Sequence, residues 1–310
     1  MSKKVWTTDQ IPPQSEKIAV VTGANSGLGF YTSRALAAKG AKVIMACRNL
    51  EKGEQARLRI MAEGVPVEPE VWKLDLASLE SVRAFAQKFA GSGHQLDLLI
   101  NNAGLMAIPY SRTEDGFEMQ FGVNHLGHFA LTALLWPHLT SASPSRVIQV
   151  SSLAHYMGKI RFEDLHWEKG YRKWGAYGMS KLANLLFVHE LANKLSETGK
   201  KVTAAAAHPG YADTELQAKG SRMKGSRLGA GSFKLVNRLV AQSAEMGALP
   251  SLYAATAEEV EQGAYFGPGG FLKLHGMPVA DSPSPTLVNS EVSGKLWSVS
   301  EQLTGILFSV

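Results

Sequence analysis

Short apolar runs and longer amphipathic stretches alternate along most of this 310-residue chain. Lys17–Thr22, Lys42–Cys47, Pro69–Leu74, Leu96–Ile100, Arg146–Val150 and Val202–Ala207 are of strand length and almost uninterrupted in apolar content. Such runs predict strands covered on both faces. Between them, the stretches following Gly29 and those over 51–63, 79–89, 116–139 and 175–195 carry the spacing of helices, with charges gathered on one side of 51–63. Strand and helix in turn predict an α/β fold: a Rossmann-type, doubly wound parallel sheet with helices on both faces and right-handed crossovers. In 175–195, Met179, Leu182, Leu185, Leu186, Phe187, Val188 and Leu191 spread round more than one face. A helix apolar on most sides is covered on most sides. The sheet accounts for one face. A second subunit, in a homodimer or homotetramer, or the chain's own cap accounts for another. The apolar tail Leu303–Phe308 is expected to pack on the body or on a partner.

Composition narrows the class. A hydrophobic content of 45% supports one sizeable core, and no repeat, linker or low-complexity tract divides the chain. We read a single domain, with 15–150 mainly a cofactor-binding half and 151–280 a catalytic and substrate half. Lys+Arg 32 against Asp+Glu 27 leaves +5, mild and dispersed, which argues against a nucleic-acid binder. No run reaches the roughly 18 apolar residues of a membrane span. Met1–Gln10 lacks the apolar core of a signal peptide. A soluble, cytoplasmic protein is expected. The lone Cys47 sits in an apolar strand and reads as a buried, inert thiol.

Chemistry gathers at the ends of these strands. The first strand runs into Gly23-Ala24-Asn25-Ser26-Gly27-Leu28-Gly29 and then a helix. Glycines there allow a tight turn, and a helix N-terminus offers free N–H groups and a positive dipole end to a pyrophosphate. Tyr177 and Lys181 are four residues apart and share one helix face. An ammonium beside a phenol favours the phenolate, so Lys181 is expected to lower the Tyr177 pKa toward the range useful for proton exchange with an alcohol or carbonyl.

With Ser152 upstream of that pair, these motifs stand in the order of the short-chain dehydrogenase/reductase family, which the chain resembles over roughly 15–280. The resemblance implies roles. Gly23, Asn25, Ser26, Gly27, Leu28 and Gly29 form the phosphate turn, and Asn102, Ala103 and Gly104 line the cofactor after the fourth strand. Asp75, with Leu76 beside it, reaches the adenine. Pro209, Gly210 and Thr214 belong to the loop whose threonine contacts the nicotinamide amide. Tyr177 is the general acid/base, and Ser152, rather than its neighbour Ser151, hydrogen-bonds the substrate oxygen. Lys181 serves both the phenol and the nicotinamide ribose, and Asn124 holds a water that links Lys181 to solvent. Residues 212–245, rich in Lys and Arg, correspond to a substrate lid. The spacing from Ser152 to Tyr177 is similar to that of the retinol dehydrogenase branch and the WW-domain oxidoreductases. Light-dependent protochlorophyllide reductases look like more distant kin. Relatives of the retinol branch commonly carry an apolar N-terminal anchor, which this sequence does not show.

NADP(H) is the expected cofactor. NAD-selecting folds place an acid after the second strand, whereas this strand ends in Arg48, suited to a 2′-phosphate. The expected partner is a small alcohol or carbonyl compound, retinal-like or another aldehyde or ketone. The alternatives weighed are a non-catalytic NADP(H) sensor on the same fold, an epimerase or dehydratase, and a protochlorophyllide-type reductase. His155, His166 and His208 lack partners at ligand spacing and read as structural, so no metal is expected. Trp167, Tyr171 and Trp174 are expected to pack a loop onto the body or to line an apolar cleft.

Overall fold

In the computed structural model, which describes residues 5–142, 144–211, 242–283 and 285–310, the six expected strands lie side by side. They are β1 (Ile18–Thr22), β2 (Lys42–Cys47), β3 (Glu70–Lys73), β4 (Leu98–Asn101), β5 (Ser145–Val150) and β6 (Val202–Ala207). Two more, β7 (Tyr265–Pro268) and β8 (Pro278–Asp281), complete an eight-stranded sheet in the order β3-β2-β1-β4-β5-β6-β7-β8. Every pairing is parallel except β7 with β8. The reversed strand is the edge, where Pro278 costs the ladder little. β1 has β2 on one side and β4 on the other, so chain order reverses there, and in such sheets ligands bind outside the carboxyl ends of the strands at that point.

Residues on alternate sides of each strand feed separate cores. Val20, Ile44, Leu99 and Val147 pack with α3 (Leu79–Gly91), α4 (Gly127–Ser141) and α5 (Lys173–Thr198). Val21, Val43, Met45 and Ile100 pack with α1 (Gly27–Ala38), α2 (Leu50–Met61) and α6 (Ala244–Thr256). This is the period-two alternation of a sheet covered on both faces. The stretch read as helix over 116–139 enters through a short turn, Met119–Phe121, and a π-turn, Gly122–Leu126, before α4. The π-turn leaves no periodicity in a sequence and was not anticipated.

The face of α5 turned away from the sheet is covered from within. α7 (Ser290–Thr304) lies along α5, with Trp297 stacked on Phe187 at 5.7 Å between ring centroids and Ser293 bonded to Glu190. The tail folds back beneath it, Phe308 meeting Trp297 and Trp136 at 4.8 and 5.1 Å. Leu182, Leu185, Leu186, Phe187, Val188 and Leu191 are therefore buried in one chain, and their apolarity does not call for a second subunit.

Two buried histidines set an acid limit on this fold. His125 and His128 are both held neutral by burial, their pKa values pushed down to about 3, with His128 opposing His125 and Lys181 opposing His128. Between the unfolded value of 6.5 and about 3 the unfolded chain binds more protons, so stability falls as pH drops through that window. Urea midpoints measured at constant salt are expected to decline steadily from pH 7.5 to 4.5. A flat series would contradict the burial of these rings.

Candidate active site

The site residues singled out above that fall within the described range lie in the loops leaving the carboxyl ends of β1 to β6 or in the turns and helices that follow them. After β1 the chain turns through Gly23–Ser26 into α1. A Cβ on Gly29 would lie 2.4 Å from the Gly23 carbonyl oxygen and 2.6 Å from Asn102 Nδ2, so only glycine lets turn, helix and Asn102 meet. Asn49 caps α2 and Ser78 caps α3 through their side chains, but Ser26 makes no such bond to α1. Among the described residues, the first N–H groups of this 12-residue helix thus have no capping side chain and face outward as donors at a positive dipole end. Asn25, Ser26, Gly27 and Leu28 are half-buried around them. The set fits a pyrophosphate.

The neighbouring loops complete the crevice. Arg48 is exposed just past β2 and, among the described residues, has no ion-pair partner, while Lys73 Nζ donates to its carbonyl at 2.7 Å. Two cationic side chains therefore come from neighbouring positions at the ends of β2 and β3. Cys47 lies beneath the phosphate turn, its thiol pushed up to about 12 by burial, as expected of an inert cysteine. Past β3, Asp75 accepts from Ala77 N at 3.0 Å, and Leu76 backs onto Gly127. Past β4, Asn102 Nδ2 donates to the Thr22 carbonyl at 2.7 Å, and the Asn102 and Ala103 amides both donate to Thr22 Oγ1. A Cβ on Gly104 would stand 3.2 Å from Asn124 Oδ1 and 3.4 Å from Lys181 Nζ, so this glycine admits both side chains. Pro209 and Gly210 follow β6, the first accepting from Gln242 and the second donating to His208 Nδ1. Thr214 and nearly all of the proposed lid lie outside the described residues.

The two serines past β5 separate cleanly. Ser151 Oγ is buried and donates to the Lys181 carbonyl at 2.8 Å, a structural tie between β5 and α5. Ser152 is half-buried, its hydroxyl accepting from the Ala154 amide at 3.2 Å, and it lies near enough to the Tyr177 phenol to pull its pKa down. Ser152 is thus the serine that meets the tyrosine. Asn124 sits in the π-turn, its amide accepting from Leu105 N and donating to Leu105 O and Ser180 Oγ at 2.7, 2.9 and 2.8 Å.

One expectation is corrected here. Helical spacing predicts that Lys181 lowers the Tyr177 pKa, yet the phenol is pushed above its ordinary value, because burial outweighs the opposing influence of nearby Ser152. Lys181 Nζ points at the Val150 carbonyl, 3.0 Å away, and stands 5.9 Å from the centre of the phenol ring. Burial also depresses the lysine itself, to about 8. Sharing a helix face put the two groups near each other; desolvation decided their protonation.

The remaining candidates fall into structural places. His166 Nδ1 accepts from Glu118 N, His155 bonds the Ser152 carbonyl and His208 pairs with Asp281 at 3.0 Å. Trp167 is buried against Gly175 and under Arg161, and Tyr171 donates to the Ile108 carbonyl, so both fasten the 158–172 loop to the body. Trp174 stays 48% exposed, edge-on to Tyr177 at 6.1 Å, at the mouth of the site.

A doubly wound sheet with an uncapped helix N-terminus at its switch point and a Ser–Tyr pair beside it defines a Rossmann-type oxidoreductase. The chain belongs to the short chain dehydrogenase family, whose model matches residues 17–225. It is 45% identical to retinol dehydrogenase 12 of Mus musculus, over 97% of this chain and 90% of that protein. It is 44% identical to retinol dehydrogenase 13 of Homo sapiens, over 94% and 85%. A crystal structure of an uncharacterised protein from Mycobacterium paratuberculosis superposes with a TM-score of 0.81 at 40% identity, covering 99% of this chain and all of that one.

Proposed function

We propose that the protein is an NADP(H)-dependent carbonyl reductase and alcohol dehydrogenase acting on an apolar, retinal-like aldehyde or ketone. The observation that carries this reading is the half-buried Ser152 beside the buried Tyr177 phenol, with Lys181 behind them and the uncapped α1 terminus at the same edge of the sheet. Bound NADPH would supply the hydride; the chain's own groups hold the substrate and manage the proton. Ser152 and Tyr177 donate to the carbonyl oxygen, and Tyr177 gives it a proton as charge develops. Burial keeps the phenol protonated at neutral pH, which favours reduction, and alcohol oxidation is expected to quicken as pH rises. A complete set of these groups supports catalysis over cofactor sensing. Apolar specificity is supported by Trp174, by exposed Tyr156 and Met157 just after Ser152, and by the similarity to retinol dehydrogenases. No helix among the described residues is long and apolar enough to cross a membrane.

The test is turnover of purified protein with NADPH and NADH against retinal, long-chain aldehydes, steroids and aromatic ketones. Absence of carbonyl reduction across the panel would refute the assignment. Arg48→Ala tests the cofactor separately. Losing a charge-assisted bond to a 2′-phosphate costs about 1.5–3 kcal/mol, or roughly ten- to a hundred-fold in NADPH affinity. NADH use should hardly change in that variant. Equal efficiency of the wild type with both cofactors would remove Arg48 from the selection.

A further inference from the structure

His128 opens α4 one turn beyond Asn124, and no motif read from the sequence claims it. The ring is 1% exposed and both nitrogens are engaged. Nδ1 is 3.1 Å from the Asn124 carbonyl oxygen and Nε2 is 2.9 Å from Thr22 Oγ1. A carbonyl can only accept, so Nδ1 carries the hydrogen and Nε2 presents its lone pair. Thr22 Oγ1 already accepts from the Asn102 and Ala103 amides at 2.9 Å each, which leaves its own hydrogen for Nε2 at 2.9 Å, well ahead of the Ile100 carbonyl at 3.5 Å. Both ends therefore demand the same neutral tautomer.

The bonds continue on either side of the ring. Thr22 ends β1 and leads directly into the phosphate turn, and its hydroxyl anchors the Asn102–Ala103 turn. Asn124 grips Leu105 and reaches Ser180 Oγ, which in turn donates to the Tyr177 carbonyl at 2.8 Å. One imidazole thus joins the cofactor turns to the helix that carries Tyr177 and Lys181.

We propose that His128 is a positioning residue for the oxidoreductase reaction: a neutral imidazole strut that holds Asn124 and the Thr22–Asn102 turn at fixed spacing, and through them sets the phosphate turn against the catalytic helix. The inference rests on the functional reading above, and its structural half can be measured without turnover. Three variants separate its arms. His128→Phe keeps the buried ring shape and removes both bonds. His128→Asn keeps a donor at the δ position for the Asn124 carbonyl. His128→Gln supplies an acceptor at the ε position for Thr22.

The readouts are kcat and KM with the best carbonyl substrate and NADPH, melting temperature, and amide exchange of the 101–106 peptide. His128→Phe is expected to lose tenfold or more in kcat with little change in KM for the carbonyl, and to exchange faster at Asn102 and Ala103. His128→Asn should recover much of kcat, and His128→Gln should restore exchange protection. Wild-type kcat and exchange in His128→Phe would overturn the proposal. So would equal loss of kcat in all three variants at an unchanged melting temperature, since neither arm would then matter separately. If His128→Phe fails to fold, the contrast between the Asn and Gln variants decides. If the wild type reduces no carbonyl compound, the functional reading fails, while the exchange data still test the strut.

Discussion

Tyr177→Phe is expected to lower carbonyl reduction by roughly 10²–10⁴-fold, the usual contribution of a positioned general acid, while leaving NADPH affinity unchanged. The phenol is 5% exposed and lies near Ser152, so the substitution removes one oxygen and little packing. Neither Ser152, whose hydroxyl accepts from the Ala154 amide, nor the helix around position 177 has reason to move. The effect should therefore appear in kcat at every pH. Cofactor titration by fluorescence and turnover on the same preparation check it. A variant that kept half of the wild-type rate on several carbonyl substrates would show that another group delivers the proton.

Lys181→Met should remove most activity and at the same time raise the melting temperature of the cofactor-free protein. The ammonium is 3% exposed and burial depresses its pKa from 10.5 to about 8, a penalty of about 3 kcal/mol on the charged form. Its one hydrogen bond goes to the Val150 carbonyl, which Asn184 Nδ2 also serves at 3.0 Å, so methionine leaves no acceptor stranded. Below pH 8 the native lysine is charged and the full penalty applies. It fades as pH rises from 8 to 10.5, because there the native group has lost its proton and the unfolded one has not. The gain in melting temperature should follow that course, largest at neutral pH and smallest above pH 10. A lower melting temperature for the variant at pH 7 would mean that the lysine stabilises the fold. Retained turnover would remove it from the reaction.

Much of the fold and most of the site could be read from residues in order, because parallel βαβ units write themselves locally. Each strand is a short apolar run, each site residue follows the run that places it, and Tyr177 and Lys181 need only helical spacing to come together. What escaped depends on distance or on depth. β7 is four residues ending in Gly-Pro, and β8 pairs against it from the sheet edge, so neither carries a pattern of its own. The choice between Ser151 and Ser152 rested on resemblance until the direction of each hydroxyl was known. Lys73 beside Arg48 comes from parallel pairing of β2 with β3, 25 positions apart in the chain. The Tyr177 pKa went the other way because spacing shows which groups are close, and only the packed structure shows how little water remains. His128 had one local sign, its place one turn beyond Asn124, but Thr22 is more than a hundred residues earlier.

The pairing of Gln242 with Tyr211 also bears on how such a protein can diversify. Gln242 N donates to the Tyr211 carbonyl at 2.9 Å, and its side chain reaches both the Pro209 carbonyl and the Gly276 amide. Tyr211 and Gln242 therefore lie side by side, next to the loop expected to face the nicotinamide. The entropy of closing a loop grows only slowly with its length, a doubling costing about 0.6 kcal/mol. The stretch of sequence between two such neighbouring residues can be lengthened, shortened or swapped by recombination while Ser152, Tyr177 and Lys181 stay where they are. Descendants of one ancestral reaction centre could in this way acquire new substrates through changes in a single exchangeable cassette.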